Sequence, residues 1–270
     1  MPDNTGIEWT DATWNPVTGC TKVSPGCAHC YAEAITLRFK RGGPFLPGKT
    51  TIRLHPDRLD QPSKWRRPRR IFVNSMSDLF HEDVPFEFVD DIFEVMAANP
   101  RHTYQILTKR PERMLDYVEW THWRVWPPQV WAGVSVENQY WADRRIPPLL
   151  ETPAAVRFLS VEPLLKPVEL ARWLTWCQLC FARRDDHLFE GWDHSAVTPD
   201  WVIVGGESGP KARPMDPDWV RSLRDECGAA GVPFFFKQWG GARPGGDATL
   251  DGREWREFPS ESSTPRPVPT

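Results

Sequence analysis

No apolar stretch in these 270 residues approaches the roughly 18 to 20 consecutive positions that a membrane-crossing helix requires, so no helical membrane span is expected. The opening MPDNTGIEWTDATW has neither the basic region nor the apolar centre of a secretion signal, and a cytoplasmic location is expected. Charge of one sign is not in excess: 33 Lys and Arg stand against 36 Asp and Glu, and a net charge of −3 demands no polyanionic partner. Cysteines number only 6, too few for a disulfide scaffold; in a reducing compartment, closely spaced ones bind metal or do chemistry. A G-x-G-x-x-G turn is missing too, which argues against a nicotinamide dinucleotide site.

With 40% apolar and 26% charged residues, the chain can bury a sizeable core as one large domain. Its 28 prolines and 15 tryptophans point to many structured loops and to large rings near surfaces or pockets. Short, nearly continuous apolar runs recur at 71–73, 104–107, 130–134, 156–159, 201–204 and 234–236, the pattern of parallel strands covered on both faces. Helical patterns lie between them. Val89, Ile92, Phe93 and Met96 share one face of a helix predicted from Pro85 to Ala98. Another is predicted from Asp216, a good N-cap before Pro217, to about Cys227, with Val220, Leu223 and Cys227 as its buried stripe and Gly228 as its stop.

A further strand near Thr13 to Asn15 makes six or seven β/α units. The fold class is therefore α/β, a partial or full (β/α) barrel, with a doubly wound sheet as the alternative. Residues 1–258 are expected to form a single barrel-like domain, carrying a Gly/Pro- and Arg-rich connection at 40–70 and a small insert at 175–199. Residues 259–270, PSESSTPRPVPT, are expected to be a disordered tail.

Parallel β/α folds place ligands at the carboxyl ends of their strands, so the residues that follow each apolar run carry the function. Those positions are polar throughout: Asn74-Ser75-Met76-Ser77-Asp78, Thr108-Lys109, Ser135-Val136-Glu137, Ser160-Val161-Glu162, Gly205-Gly206-Glu207 and Lys237. The two Ser-Val-Glu triplets put like residues at like positions, so Glu137, Glu162 and Glu207 should converge with Lys109 and Lys237 on one rim. Glu137, Glu162, Lys109 and Lys237 are the candidate catalytic residues. Asn74, Ser75, Ser77, Asp78, Thr108, Ser135, Ser160, Gly205, Gly206 and Glu207 are candidates for binding a cofactor. Such a ring can hold amine, hydroxyl and carboxylate groups by charge-assisted hydrogen bonds, or close on itself in structural salt bridges. The glycine pair either admits a ligand close to the backbone or makes a turn.

Cys20, Cys27 and Cys30 form C-x6-C-x2-C in the loop GCTKVSPGCAHC after the first strand. Three thiolates are one short of a closed tetrahedral site and leave one metal position open. Zinc with His29 as fourth ligand would need adjacent ligation by His29 and Cys30, which is geometrically awkward; an iron-sulfur cluster with one open iron fits better. GCTKVSPGCAHCYAE, FVNSMSDLFHEDVP, ILTKRPERM, VGGESGPKARPM and FFFKQWG together resemble the radical S-adenosylmethionine (SAM) enzymes, and more closely a phage-associated family of uncharacterised radical-SAM-like proteins, over about residues 7 to 241.

That resemblance implies a radical SAM barrel in which Cys20, Cys27 and Cys30 hold a 4Fe-4S cluster whose open iron binds SAM. It places His29 where the larger family has an aromatic ring near the adenine. The first cysteine gap is three residues longer than the common C-x3-C-x2-C. The family's Gly-Gly-Glu element follows the second strand, where this chain has Asn74 to Asp78, so the SAM amino group is expected near Ser75, Ser77 or Asp78; Gly205-Gly206-Glu207 comes too late to be equivalent. The implied chemistry is reductive cleavage of SAM to a 5′-deoxyadenosyl radical that abstracts hydrogen from a substrate, with flavodoxin or ferredoxin as electron donor.

Cys177 and Cys180 in the insert, followed by His187 and His194, are a candidate zinc site, with an auxiliary cluster or no metal as alternatives. The run Lys64-Trp65-Arg66-Arg67-Pro68-Arg69-Arg70 suits phosphates and a stacked base, or is a solvated loop. Trp120, Trp123 and Trp126 form either a stacking platform or a packing cluster. A nucleotide or nucleic acid is accordingly the candidate substrate. Two other readings stand beside the radical enzyme: a zinc-stabilised nucleic-acid-binding module without catalysis, and a non-redox barrel enzyme using Glu137, Glu162 or Glu207 as general acid or base.

Overall fold

The structure, a computed structural model, describes residues 5–39, 42–177, 182–183, 198–242 and 246–260. Among these, seven strands form one parallel sheet: β1 (Ala12–Trp14), β2 (Arg70–Val73), β3 (Thr103–Thr108), β4 (Val130–Ser135), β5 (Arg157–Val161), β6 (Trp201–Gly205) and β7 (Phe234–Gln238). Between successive strands run α1 (Tyr31–Arg38), α2 (Phe86–Ala98), α3 (Pro111–Trp120), α4 (Gln139–Glu151), α5 (Ala171–Thr175) and α6 (Pro217–Ala230). Every strand pairs with its predecessor, and the order never reverses. A doubly wound sheet would reverse at a switch point, so this is a partial (β/α) barrel with β1 and β7 as its edges.

The strands form because their side chains alternate between two apolar surroundings. Ile71, Val73, Tyr104, Ile106, Ala132, Val134, Leu159 and Val202 pack outward against Ile92, Phe93, Met114, Leu149 and Leu223 of the helices. Phe72, Trp131, Phe158, Trp201, Ile203 and Phe235 point the other way and meet around Trp9. Trp9 shows how far the sheet curls. Its ring lies 4.9 Å from Phe72 on β2 and 6.4 Å from Trp201 on β6. Four strand spacings separate those strands, about 19 Å in a flat sheet. Gly133 makes room inside the curl, since a Cβ there would lie 2.4 Å from Phe158 Cζ.

Residues around Trp9 and the segment 256–258 close the amino end of the barrel. Phe258 sits 5.1 Å from Trp201, 5.3 Å from Phe235 and under the Arg70 guanidinium at 4.4 Å, while Arg256 pairs with Glu8 at 3.3 Å. The aromatic base leaves the carboxyl end as the open end. Carried two residues further along each strand, the inward register reaches Lys109, Ser135, Glu137, Ser160, Glu162, Gly205, Glu207 and Lys237.

Local differences from the sequence expectations have identifiable causes. The last helix runs past Gly228 and stops at Gly231, whose left-handed φ of 66° lets its N–H reach the carbonyls of Cys227 and Gly228. The 40–70 connection contains Arg53–Leu54, paired antiparallel with Val17–Thr18, and a helical turn at Gln61–Lys64. Trp126 and Trp123 pack rather than offer a platform: Trp126 is buried 4.8 Å from Phe93, and the Trp123 indole donates to Asp90 at 3.1 Å. Of the 175–199 insert, the backbone of Trp176–Cys177 pairs with Ala182–Arg183, and the expected zinc site at Cys177, Cys180, His187 and His194 lies outside the described side chains. The tail from 261 onward also lies outside the description. No described helix is long and apolar enough to cross a membrane.

Trp9→Ala is expected to lower the unfolding free energy by about 3–5 kcal/mol through the cavity it opens at the base, and Trp9→Phe by less. Chemical denaturation followed by circular dichroism measures both; an Ala variant as stable as the parent would mean that this ring does not close the barrel.

Candidate functional site

The cysteine loop leaves β1 through Gly19, whose φ of 96° and lack of a Cβ let it pass 2.5 Å, in Cβ terms, from the Thr51 carbonyl. The adjoining strand ends are stitched together first. Asn15 Oδ1 accepts from Ser75 Oγ at 3.2 Å and Met76 N at 2.9 Å, Asn74 Oδ1 accepts from Val17 N at 3.1 Å, and Ser77 Oγ donates to the Val17 carbonyl at 3.0 Å. Asn74 itself adopts a left-handed φ of 60°. Asp78 accepts from Thr108 Oγ1 at 2.7 Å, Lys109 N at 3.0 Å, Phe80 N at 3.0 Å and Arg110 Nη1 at 3.3 Å. Asn74, Ser75, Ser77 and Asp78 are thus engaged in joining β1, β2 and β3.

From there the loop crosses the open end, tied down at three buried carboxylates. At Asp78, Arg110 is the intermediary: it donates to the Thr21 carbonyl at 3.1 Å and Thr21 Oγ1 at 2.8 Å and lies 3.7 Å from Cys20 Sγ. At Glu137, Ser24 Oγ donates to Oε1 at 2.5 Å and Arg145 Nη1 to Oε2 at 2.9 Å. Glu137 and Arg145 are 0% and 1% exposed, a fully buried ion pair, and a Cβ on Gly26 would collide with Glu137 Cγ at 2.5 Å. At Glu207, Arg213 donates from Nη2 at 2.5 Å and Nε at 2.9 Å, and the His29 Nδ1–H at 2.9 Å; Arg213 Nη2 also reaches the Pro25 carbonyl at 2.9 Å.

These contacts set the electrostatics. Burial raises the Glu207 carboxyl, but the Arg213 and His29 hydrogen bonds outweigh it and hold the group at about 2. Burial pushes the Cys20 thiol up to about 12, with the Asp78 charge adding and Arg110 opposing. Cys30 is raised by burial too, against the N–H groups of Glu33 and Ala32 at the start of α1 and the Lys109 charge. His81, fully buried, is lowered by burial; its Nδ1 accepts from Asp83 N at 3.1 Å, so Nε2 carries the proton it shares with Thr21 Oγ1 at 2.9 Å.

Three thiols therefore stand unpaired and half-buried at the open end, Cys20 beside Arg110 and Cys30 near Lys109. Among the described residues, no three His, Cys, Asp or Glu side chains converge on a single-ion position. In a cluster each thiolate binds its own iron, so convergence on one point is not what that group asks of its donors. The donor chemistry fits an iron-sulfur cluster: soft sulfur ligands, cations to offset negative charge, and buried thiols that a metal must deprotonate.

The remaining rim residues line the inner wall. Lys109 Nζ donates to Ser135 Oγ at 2.9 Å and Lys237 Nζ to Glu162 at 2.6 Å, with Ser160 buried on the same wall, while Thr108, in the outward register of Tyr104 and Ile106, is turned to Asp78. Gly205 gives the Lys237 and Glu162 pair its space, since a Cβ there would lie 3.2 Å from Glu162 Cδ. Gly206 meets the Trp239 carbonyl at 2.0 Å from its would-be Cβ, so the glycine pair serves close backbone packing between β6 and β7.

Residues 4–259 match the family described as "Protein of unknown function (DUF5131)". The chain belongs to this family. No curated protein matches significantly. A cysteine-to-serine variant of spore photoproduct lyase is similar in structure, with 14% identity and a TM-score of 0.45 over 84% of this chain and 63% of that one. Another variant, with bound AdoMet and dinucleoside spore photoproduct, is similar at 14% identity and a TM-score of 0.41, over 79% and 60% of the two chains. The complex with dinucleoside spore photoproduct alone is similar at 15% identity and a TM-score of 0.41, over 78% and 58%. This DUF5131 chain thus spans about three fifths of the length of those proteins, between 58% and 63%.

Sequence reasoning gives no role to the three arginines that organise the site of this DUF5131 protein, although Arg110 belongs to the polar segment Thr108-Lys109-Arg110 that follows its strand. Arg110, Arg145 and Arg213 follow Lys109, Glu137 and Glu207 closely in the chain, but spacing alone does not distinguish them from surface cations. The 64–70 run lies away from this site. Arg70 begins β2, at the end of the barrel opposite the cysteines, and binds Asp11 at 3.1 Å; Lys64 pairs with Asp60 at 2.7 Å.

Arg145→Met leaves Glu137 buried without its cation and is expected to cost about 3–5 kcal/mol in guanidinium unfolding; a loss under about 1 kcal/mol would show that the pair is dispensable. The Glu207 carboxyl, depressed from 4.5 to about 2, contributes stability that is complete above about pH 4.5 and disappears as pH falls toward 2. Melting temperatures taken across that window should fall less steeply for Glu207→Gln than for the parent, and parallel curves would contradict the assignment.

Proposed function

We propose that this chain is a radical SAM enzyme in which Cys20, Cys27 and Cys30 hold a 4Fe-4S cluster at the open end of the barrel. The observation that carries this reading is the gathering of three unpaired thiols by one loop across that end, with cations beside two of them. When bound, the cluster supplies the electron for reductive cleavage of SAM to methionine and a 5′-deoxyadenosyl radical, which takes a hydrogen atom from a substrate.

The chain's own residues provide the setting. Arg110 and Lys109 offset the negative charge of three thiolates, and the N–H groups that begin α1 stabilise the Cys30 sulfur. Glu207 holds the His29 ring at the rim through Nδ1. Lys109, Lys237, Glu162, Ser135 and Ser160 offer charged and hydroxyl groups to the polar parts of SAM and substrate, while the aromatic base excludes water from below. A nucleotide or nucleic acid is the proposed substrate class, and a flavodoxin or ferredoxin the proposed electron donor. Unpaired thiols and a low-potential cluster suit a reducing, cytoplasmic setting.

Anaerobic reconstitution tests the reading. The parent should take up about four irons and four sulfides per chain, with a visible charge-transfer spectrum, and release 5′-deoxyadenosine when reduced with SAM. The Cys20→Ala/Cys27→Ala/Cys30→Ala variant should do neither. Zinc uptake by the parent without iron would overturn the proposal.

A further inference from the structure

Charge is balanced over the whole chain but not along it. Residues 34–56 contain five Lys or Arg and no Asp or Glu, in a protein whose net charge is −3. In the fold this stretch wraps the cysteine loop and not the far end of the barrel. Phe45 N donates to Glu33 at 2.9 Å, Lys22 N donates to the Phe45 carbonyl at 3.3 Å, and Arg53 pairs with Thr18 just before the first cysteine. Lys22 is neutralised by Glu33 at 2.6 Å, whereas Arg38, Lys49 and Arg53 are exposed and have no ion-pair partner recorded among the described residues.

The same face carries several exposed apolar side chains close together, where the barrel's other helices show single ones such as Trp120 and Tyr140. Within α1 only Ala32 is buried, and the helix shows Tyr31 at 50% and Leu37 at 46% exposure, followed by Phe39 at 57%. Tyr31 directly follows Cys30 and donates through its hydroxyl to the Ser75 carbonyl, on the β2 side of the opening. The surface thus sets rings beside cations that have no acidic partner among the described residues, with Arg38 lying 5.7 Å from the Phe39 ring centre, and it ends at the mouth of the site. Phosphates and base faces are the chemistry that such an alternation matches: cations track the backbone, and exposed rings stack bases. A second copy of the chain would bring like charge against like, and an acidic protein would use the cations but not the rings.

We propose that the face formed by α1 and the segment 42–53 is a docking surface for single-stranded nucleic acid, leading the strand to the cysteine end of the barrel. That the docked strand is also the substrate rests on the radical SAM reading; the surface itself does not.

Fluorescence anisotropy with a labelled mixed-sequence DNA strand of about 20 nucleotides, at about 0.1 M salt, tests the surface. Arg38→Ala/Lys49→Ala/Arg53→Ala should weaken binding at least about tenfold and reduce the slope of log Kd against log salt by about 2, since each lost phosphate contact removes about 0.7. Phe39→Ala, which removes an exposed ring and touches no core position, should weaken binding about tenfold with the slope unchanged. Arg66→Ala/Arg67→Ala, at the opposite end of the barrel, should bind as the parent does. Binding that survives the triple substitution, or that is lost only in the Arg66/Arg67 variant, overturns the proposal. Displacement of the strand by polyglutamate as readily as by unlabelled DNA also overturns it, in favour of an acidic protein. Repeating the titration with Cys20→Ala/Cys27→Ala/Cys30→Ala separates the two ideas: undiminished binding by this cluster-free chain supports the surface whatever becomes of the radical chemistry.

Discussion

The buried ion pair between Glu137 and Arg145 is the contact on which the geometry of the open end depends. Glu137 sits two residues beyond β4, at the middle of the sheet, with no exposure to solvent. Its two oxygens take Arg145 from the helix behind and Ser24 from the loop in front, so one carboxylate fixes the loop to the barrel. Such a pair is costly to desolvate, and Arg145 meets only part of that cost: Nη1 serves both Glu137 and the Ser135 carbonyl, the latter at 2.8 Å, and the guanidinium lies 4.1 Å from the Trp141 ring centre, while Nε and Nη2 are buried without a hydrogen-bond partner. Asp78 and Glu207 repeat the arrangement on either side, each through an arginine. The loop is therefore held at three points spread along the sheet, and its cysteines are placed by the curl of the barrel.

This arrangement divides the acidic residues by role. Glu137, Glu207 and Asp78 are each engaged by protein donors that tie the loop to the barrel. Glu162 is different: its partner is Lys237 on the inner wall, both are partly exposed, and nothing on the loop uses them. Lys109 likewise faces Ser135 and the neighbourhood of Cys30. The groups available to a ligand are those on the inner wall, and the groups committed to structure lie under the loop. The distinction follows from burial, because a carboxylate without exposure must have all its lone pairs met inside the protein.

The opposite ends of the barrel have opposite characters for a related reason. At the amino end, Trp9 and Phe258 pack under the sheet and fill it with rings. At the carboxyl end, the strands finish in small and charged residues, and the connection after β1 brings an acid-free stretch alongside the thiols. A basic run noted at 64–70 lies at the wrong end to serve them, and its cations are partly spent on Asp60 and Asp11.

The alternation of apolar runs and helical patterns determined a parallel β/α fold, because period-2 and period-3.6 burial is written locally in the residues, while the strand order decided for the barrel over a doubly wound sheet. The Ser-Val-Glu repeats likewise announced which positions share the inner register, and C-x6-C-x2-C announced three thiols carried on one loop. Three further things were decided only by tertiary structure: which acids are supports and which remain available, which arginines serve them, and which of two basic stretches lies beside the cysteines. Those depend on how seven strands curl around Trp9 and on contacts between residues as far apart as Pro25 and Arg213. Local composition cannot encode such pairings, since an arginine six or eight residues from an acid reads the same whether it is buried against it or turned to solvent.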